Sequence, residues 1–221
     1  MTRRHLTEPS AQSLATPHQL LQDAQELMWR YRTDQAHCRR VQQFALQLFA
    51  WTIGQRLTET ETAPWSIRLV LGCLLHDLGH YIADKGHHRH SRYLILNAPQ
   101  TAAWDAGLRT DVAALAFTHR KLAKSSWEKT YFRQSKELFQ LAAILRVADG
   151  LDRSHRPGVQ IHGHRREDGH FLLELGGLQP EDELHLATQK ADAWEKAFAE
   201  SISFHVKSQL SENPDSLVDH R

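Results

Sequence analysis

Apolar residues in the first two thirds of the chain recur with helical period, and the last third changes to alternation. Thr16-Pro17 offers a capping hydroxyl followed by proline at the first helical position. Leu20, Leu21, Ala24, Leu27, Met28 and Tyr31 then share one stripe. A second helix is predicted from about Asp34 to Gly54, with Val41, Phe44, Ala45, Leu48 and Phe49 inward. His37 stands one turn before Val41 on the same face. A third helix is predicted after Pro64-Trp65 and through Leu78. It is apolar nearly all round, which places it at the centre of a bundle, and Gly79 suits its C-cap.

The cationic stretch Lys85 to Arg92 is expected to lead into a short helix through Tyr93, Leu94 and Leu96. Another helix is expected from about Thr110-Asp111 to His119-Arg120-Lys121. Residues 124–136 have weak periodicity and read as a surface loop or lid. A strong helix then puts Leu138, Leu141, Ala142, Leu145, Asp149 and Asp152 on one face. After Pro157-Gly158, Val159 and Ile161 alternate with polar residues. Phe171, Leu173 and Leu175 do the same beyond the turn signal Asp168-Gly169. Leu184 and Leu186 are expected to add a third strand, and a last helix to carry Ala191, Trp194, Phe198, Ile202 and His205. The fold expected is mainly α: a helical core over 16–156, a small C-terminal α+β appendage over 157–210, and flexible termini at 1–15 and 211–221.

The formal charge of +1 over 221 residues gives no global case for duplex nucleic acid or a membrane as partner. The first residues are polar and no apolar run approaches spanning length, so a cytoplasmic location is expected. Oligomeric state is not set by the sequence, and a homodimer stays open. Cys38 and Cys73 lie in apolar helical patterns without CxxC spacing. They read as buried free thiols before a disulfide or zinc-thiolate pair. Histidine is the compositional outlier, with 16 copies.

Five places carry the chemistry: His37, the pair His76-Asp77, His119 and Asp149. Each falls at or beside an apolar stripe, where an unpaired ionisable group is costly to bury. Imidazole and carboxylate ligands turned inward on several helices are what a bundle needs to hold a divalent metal. The order His37, His76-Asp77, Asp149 resembles the HD-domain superfamily of metal-dependent phosphohydrolases, whose signature is H…HD…D on an all-α core. By that resemblance His37, His76, Asp77 and Asp149 hold one ion. His90 and His119 complete a second around a bridging Asp77. His87 and His88 compete with His90 for the ligand role, and His90 is favoured because it immediately precedes the expected short helix.

The local wording is closer still. Leu75-His76-Asp77-Leu78-Gly79, the run His87 to Asn97, His119-Arg120-Lys121 and the run Leu145 to Ser154 resemble the C-terminal half of exopolyphosphatase/guanosine pentaphosphate phosphohydrolase proteins. The resemblance spans about Ala11 to Gln209. That family's phosphatase chemistry is housed in an N-terminal actin-like domain pair not seen in this sequence, so exopolyphosphatase activity is not carried over.

What the resemblance implies is a metal-dependent phosphohydrolase acting on a small phosphorylated molecule, a nucleotide or alarmone, through a metal-activated water. Two divalent ions among manganese, iron, cobalt, nickel and zinc are expected. Asp77 is the catalytic bridge, with His87 and His88 as candidates for general-acid help. Arg89, Arg92, Arg120, Lys121, Arg146 and Arg153 stand beside the ligands in sequence and are the expected phosphate contacts. Asp152 is expected to cap or to pair with an arginine. The competing reading is a non-catalytic module that binds polyphosphate or a nucleotide.

Overall fold

The structure is a computed structural model that describes residues 15–120, 132, 135–156, 158–177 and 181–206. Lys121, almost all of the expected 124–136 loop, and the termini apart from Ala15 lie outside the described residues. Helix α1 (Pro17–Arg30) opens where expected, with the Thr16 hydroxyl accepting from the Gln19 N–H. Helix α2 (Gln35–Trp51) is capped by Asp34, whose carboxylate accepts from the His37 N–H at 3.0 Å. Helix α3 (Glu59–Leu75) starts earlier than the apolar pattern suggests. The Glu61 carboxylate accepts from both the N–H and the hydroxyl of Thr58, so polar capping begins the helix before its apolar stripe does.

Helix α3 stops at Leu75 rather than Leu78, and a 3₁₀ turn follows at Leu78–Tyr81. Gly79 is not a left-handed C-cap: the glycines with positive φ are Gly86, Gly169 and Gly177. Its role is close approach. A Cβ there would lie 2.0 Å from the His87 carbonyl oxygen and 2.5 Å from the Ser91 nitrogen. The bare backbone of Gly79 therefore packs against the next helix, and its N–H donates to Ser91 Oγ at 2.8 Å. That helix, α4 (His87–Asn97), absorbs most of the cationic stretch expected to precede it. Helix α5 (Ala106–Thr118) is capped by Asp105 and starts one turn before Thr110. Helix α6 (Lys136–Gly150) is capped by Ser135.

Helix α3 is the central element. Leu69 and Cys73 join one apolar cluster, while Leu71, Leu74 and Leu75 join another with residues of α1, α4 and α5. Each such leucine, fully buried, contributes roughly 1.5–3 kcal/mol relative to exposure. Cys38 and Cys73 are buried and unpaired, and burial pushes both thiols above their ordinary range, so neither is a reactive thiolate.

Strands β1 (Val159–Glu167) and β2 (His170–Gly177) pair antiparallel through Asp168-Gly169, both at positive φ, the two-residue turn that matches strand twist. Strand β3 (Ser201–Val206) then adds in parallel to β2. A parallel neighbour needs a crossover, and the chain supplies α7 (Glu181–Lys190), a 3₁₀ turn and α8 (Trp194–Phe198). Two expectations are thereby corrected. Leu184 and Leu186 lie on α7, not on a strand. Ile202 and His205 lie on β3, because Ala199 at φ 58° ends the helix and residues 201–206 alternate. Phe171, Leu173, Leu175 and Trp194 share the apolar cluster that contains Phe44, Leu141 and Leu145. Among the described residues no helix is long and apolar enough to cross a membrane.

Candidate metal centre

Helices α2 and α4 begin, and α3, α5 and α6 end, at one pole of the bundle. His37 is in the first turn of α2, His76 and Asp77 follow α3, and His87 opens α4. His119 follows α5, and Asp149 is in the last turn of α6. The side chains meet in two groups. His37 Nε2 lies 3.2 Å from His76 Nε2 and 3.6 Å from Asp149 Oδ1. His87 Nε2 lies 3.0 Å from His119 Nε2. Asp77 stands between the groups with one oxygen toward each. Its Oδ2 is 3.5 Å from His76 Nε2 and 3.7 Å from His37 Nε2. Its Oδ1 is 3.4 Å from His119 Nε2 and 3.6 Å from His87 Nε2.

The hydrogen bonds on the far sides of the rings decide what these nitrogens offer. A carbonyl can only accept, so His76 Nδ1 donates to Cys73 O at 2.7 Å and His119 Nδ1 donates to Ala116 O at 2.7 Å. His87 Nδ1 likewise donates to Asp84 O at 3.0 Å. In the neutral rings every Nε2 is then a bare lone pair, and His87 and His119 point theirs at each other. Two lone pairs at 3.0 Å repel unless a cation lies between or beside them. Burial pushes His87 and His119 below the ordinary imidazole pKa, so a proton is a poor candidate for that cation. This donor set, second nitrogens anchored and first nitrogens converging on carboxylates, suits divalent transition metal.

His37 behaves differently. Burial opposes its charge, but hydrogen bonds with Asp149 and Asp152 outweigh burial and raise it to about 9. Its Nδ1 donates to Asp152 Oδ2 at 2.7 Å, and Arg40 Nε donates to the other oxygen at 2.6 Å, the arginine pairing expected of Asp152. Burial works against ionised Asp77 and Asp149 too. Electrostatic attraction, first from His76 at Asp77 and first from the Lys190 ammonium at Asp149, outweighs it, so both carboxyls sit below their ordinary range.

The groups open onto a cleft of about 800 Å³ walled by α7 on the far side, where Leu186, Gln189 and Lys190 line it. The family model for Ppx/GppA phosphatase, domain III, matches residues 21–197, a span that contains every residue of both groups. The chain belongs to the Ppx/GppA phosphatase family. No curated protein matches it.

Within this Ppx/GppA domain III the place expected of His90 is taken by His87. The reason is local: α4 starts at His87, so His87 faces Asp77, while His90 is half-buried one turn further along and joins neither group. His88 also stays out of the cleft and tilts against Phe117. Arg89 and Arg92 fall well round the helix from His87; Arg89 is exposed and Arg92 lies over the Phe117 ring, and neither lines the cleft. Arg120, Arg146 and Arg153 do line it. Arg146 is nevertheless spent on structure, donating to the carbonyls of Thr118 and His119 and to Asp192 at 2.6 Å. It fixes the end of α5 that carries His119.

His80, His155 and Lys190 also stand at the site, beyond the residues expected from the sequence. His80 lines the cleft, stacks on His87 at 4.0 Å and bonds Asp84 at 2.8 Å. Its place three residues after Asp77 in His76-Asp77-Leu78-Gly79-His80 was a readable signal. His155 stacks on His37 at 3.9 Å and could make a third group with His37 and Asp77. It holds a left-handed backbone at φ 57° with no periodicity to announce it.

Proposed function

We propose that this Ppx/GppA domain III is itself a metal-dependent phosphohydrolase acting on a small phosphorylated molecule, a nucleotide or alarmone. The observation that carries the reading is the disposition of Asp77, one buried carboxylate facing two separate imidazole pairs. His37, His76, Asp77 and Asp149 would hold one divalent ion, and Asp77, His87 and His119 a second. Such ions, when bound, lower the pKa of a water and screen phosphate charge. The protein's own part is to hold the ligands in one tautomer, through Cys73, Ala116, Asp84 and Asp152. Arg120 and Arg153 line the cleft and would take phosphate oxygens there, and the cleft volume falls in the range of small-molecule sites.

The test is metal content per chain, by elemental mass spectrometry on protein purified without chelator, followed by phosphate release from a nucleotide and alarmone panel. About two transition ions are expected. His119→Ala should lose one of them, and Asp77→Ala both, together with turnover. No uptake of added manganese or iron, or full activity in Asp77→Ala, would refute the reading. Nucleotide binding without turnover in the metal-loaded protein would favour a regulatory module instead.

A further inference from the structure

Asp149 divides its two oxygens. Oδ1 faces His37 and His76, whereas Oδ2 accepts from the Lys190 ammonium. Lys190 comes from the far wall of the cleft, at the last position of α7, and its side chain is only 13 % exposed. Three contacts seat that wall. The Glu183 carboxylate accepts from the backbone N–H groups of Arg153 and Ser154, at 2.7 and 2.9 Å. Gly150, next to Asp149, lacks a Cβ that would otherwise lie 2.7 Å from Ala187 Cα. Asp192, just past the helix, pairs with buried Arg146. Lys190 lies one turn beyond Ala187, between the last two contacts, and is thereby delivered to Asp149.

We propose that Lys190 is the resident counter-cation of the site. It neutralises Asp149 in the metal-free protein, leaves Asp149 when a divalent ion is taken up, and then meets the anionic substrate in the cleft it already lines. The idea rests on the metal-dependent reading above. Its physical basis is charge: an ammonium bonded to one oxygen of a carboxylate repels a dication on the other, in surroundings largely shielded from water. Lysine suits the exchange because its charge is a point on a flexible stem, free to move without breaking the helix.

Calorimetric titration with Mn²⁺ alone tests this on the full chain, comparing wild type with Lys190→Met and Lys190→Arg. Lys190→Met removes the competitor and keeps the stem, so Mn²⁺ should bind about tenfold more tightly, or better. Lys190→Arg keeps the charge and should stay near wild type. If Lys190→Met does not fold, the wild-type protein still answers. Amine acylation mapped by mass spectrometry should find Lys190 protected in chelator and several-fold more reactive with Mn²⁺. Inorganic phosphate should then bind the Mn²⁺-loaded Lys190→Met protein several-fold more weakly than wild type. Equal Mn²⁺ affinity in wild type and folded Lys190→Met, or Lys190 reactivity unmoved by Mn²⁺, overturns the proposal and leaves the metal reading standing. No Mn²⁺ uptake by any of the three proteins overturns both.

Discussion

Asp152 is the residue through which the support of the site can be separated from its ligands. It touches neither imidazole pair with a free oxygen. One oxygen accepts from His37 Nδ1 at 2.7 Å and the other from Arg40 Nε at 2.6 Å, and the side chain is 3 % exposed. Asp152→Asn keeps the shape and replaces one acceptor oxygen by an amide NH2, which can only donate. Whichever way the amide turns, one N–H donor faces another. If Arg40 keeps the oxygen, His37 Nδ1 faces an N–H and must give up its own proton to accept from it, which leaves the ring's remaining proton on Nε2, the nitrogen that faces His76 and Asp149. Loss of a partner of this kind weakens metal affinity about 10- to 100-fold. The folded state should lose about 1–3 kcal/mol, the cost of a buried donor left without an acceptor. Arg40 is partly exposed and can turn to water, which keeps the loss below that of a fully buried broken pair. Arg40→Leu is the control: it removes the ion pair and leaves the His37–Asp152 bond. Mn²⁺ calorimetry and thermal unfolding in chelator, run on both variants, should show lowered stability in each and lowered affinity only in Asp152→Asn. Wild-type Mn²⁺ affinity in Asp152→Asn, or an equal loss in Arg40→Leu, would refute the reasoning.

Gly150→Ala must push α7 outward, since 2.7 Å to Ala187 Cα has to grow to the 3.4 Å of ordinary contact and the obstacle is backbone. Overpacking of about 1–3 kcal/mol outweighs the gain of up to about 1 kcal/mol from alanine at a helix end, and chemical denaturation should show a net loss. His164, stacked 4.5 Å from Trp51 and 5.1 Å from Phe171, is pushed below the ordinary imidazole pKa by burial and then by Arg166. The unfolded chain therefore takes up the extra proton first, so stability falls as pH drops below about 6.5, and His164→Gln should flatten that slope. Wild-type and variant unfolding curves of equal slope would contradict it. Chelation of metal-loaded protein should lower Tm, by about 2.7 kcal/mol of lost stabilisation if the ion had been present at about a hundred times its Kd. An unchanged Tm would show that no ion binds the folded state preferentially.

Helices α1, α2 and α6 were legible because cap and apolar stripe agree in the sequence: Thr16-Pro17 before Leu20, Asp34 before Val41, and the run from Leu138 to Asp149. The start of α4 was not. Residues from His87 to Arg92 carry no apolar run, and what docks them is Ser91 and the His87 carbonyl against the bare backbone of Gly79. That one boundary moved the candidate ligand from His90 to His87. On α7, Leu184 and Leu186 mimic strand alternation. The segment is helical because Glu183 and Ala187 fit the end of α6, a fit no local pattern encodes. The order and types of the candidate ligands could be read from the chain, whereas the two oxygens of Asp77 facing two pairs, and Lys190 reaching Asp149, exist only in three dimensions.

Helix ends are where backbone opening begins, since the terminal groups lack intrahelical partners. Here the ends of five helices supply the donors of both groups. Two ions seated among them and sharing Asp77 would act as a knot tied through five loose ends, so fraying at any one would have to wait for the knot to slip. Amide exchange should then slow together at the starts of α2 and α4 and at the ends of α3, α5 and α6. Occupancy at the pole would thus be felt as rigidity along most of the bundle.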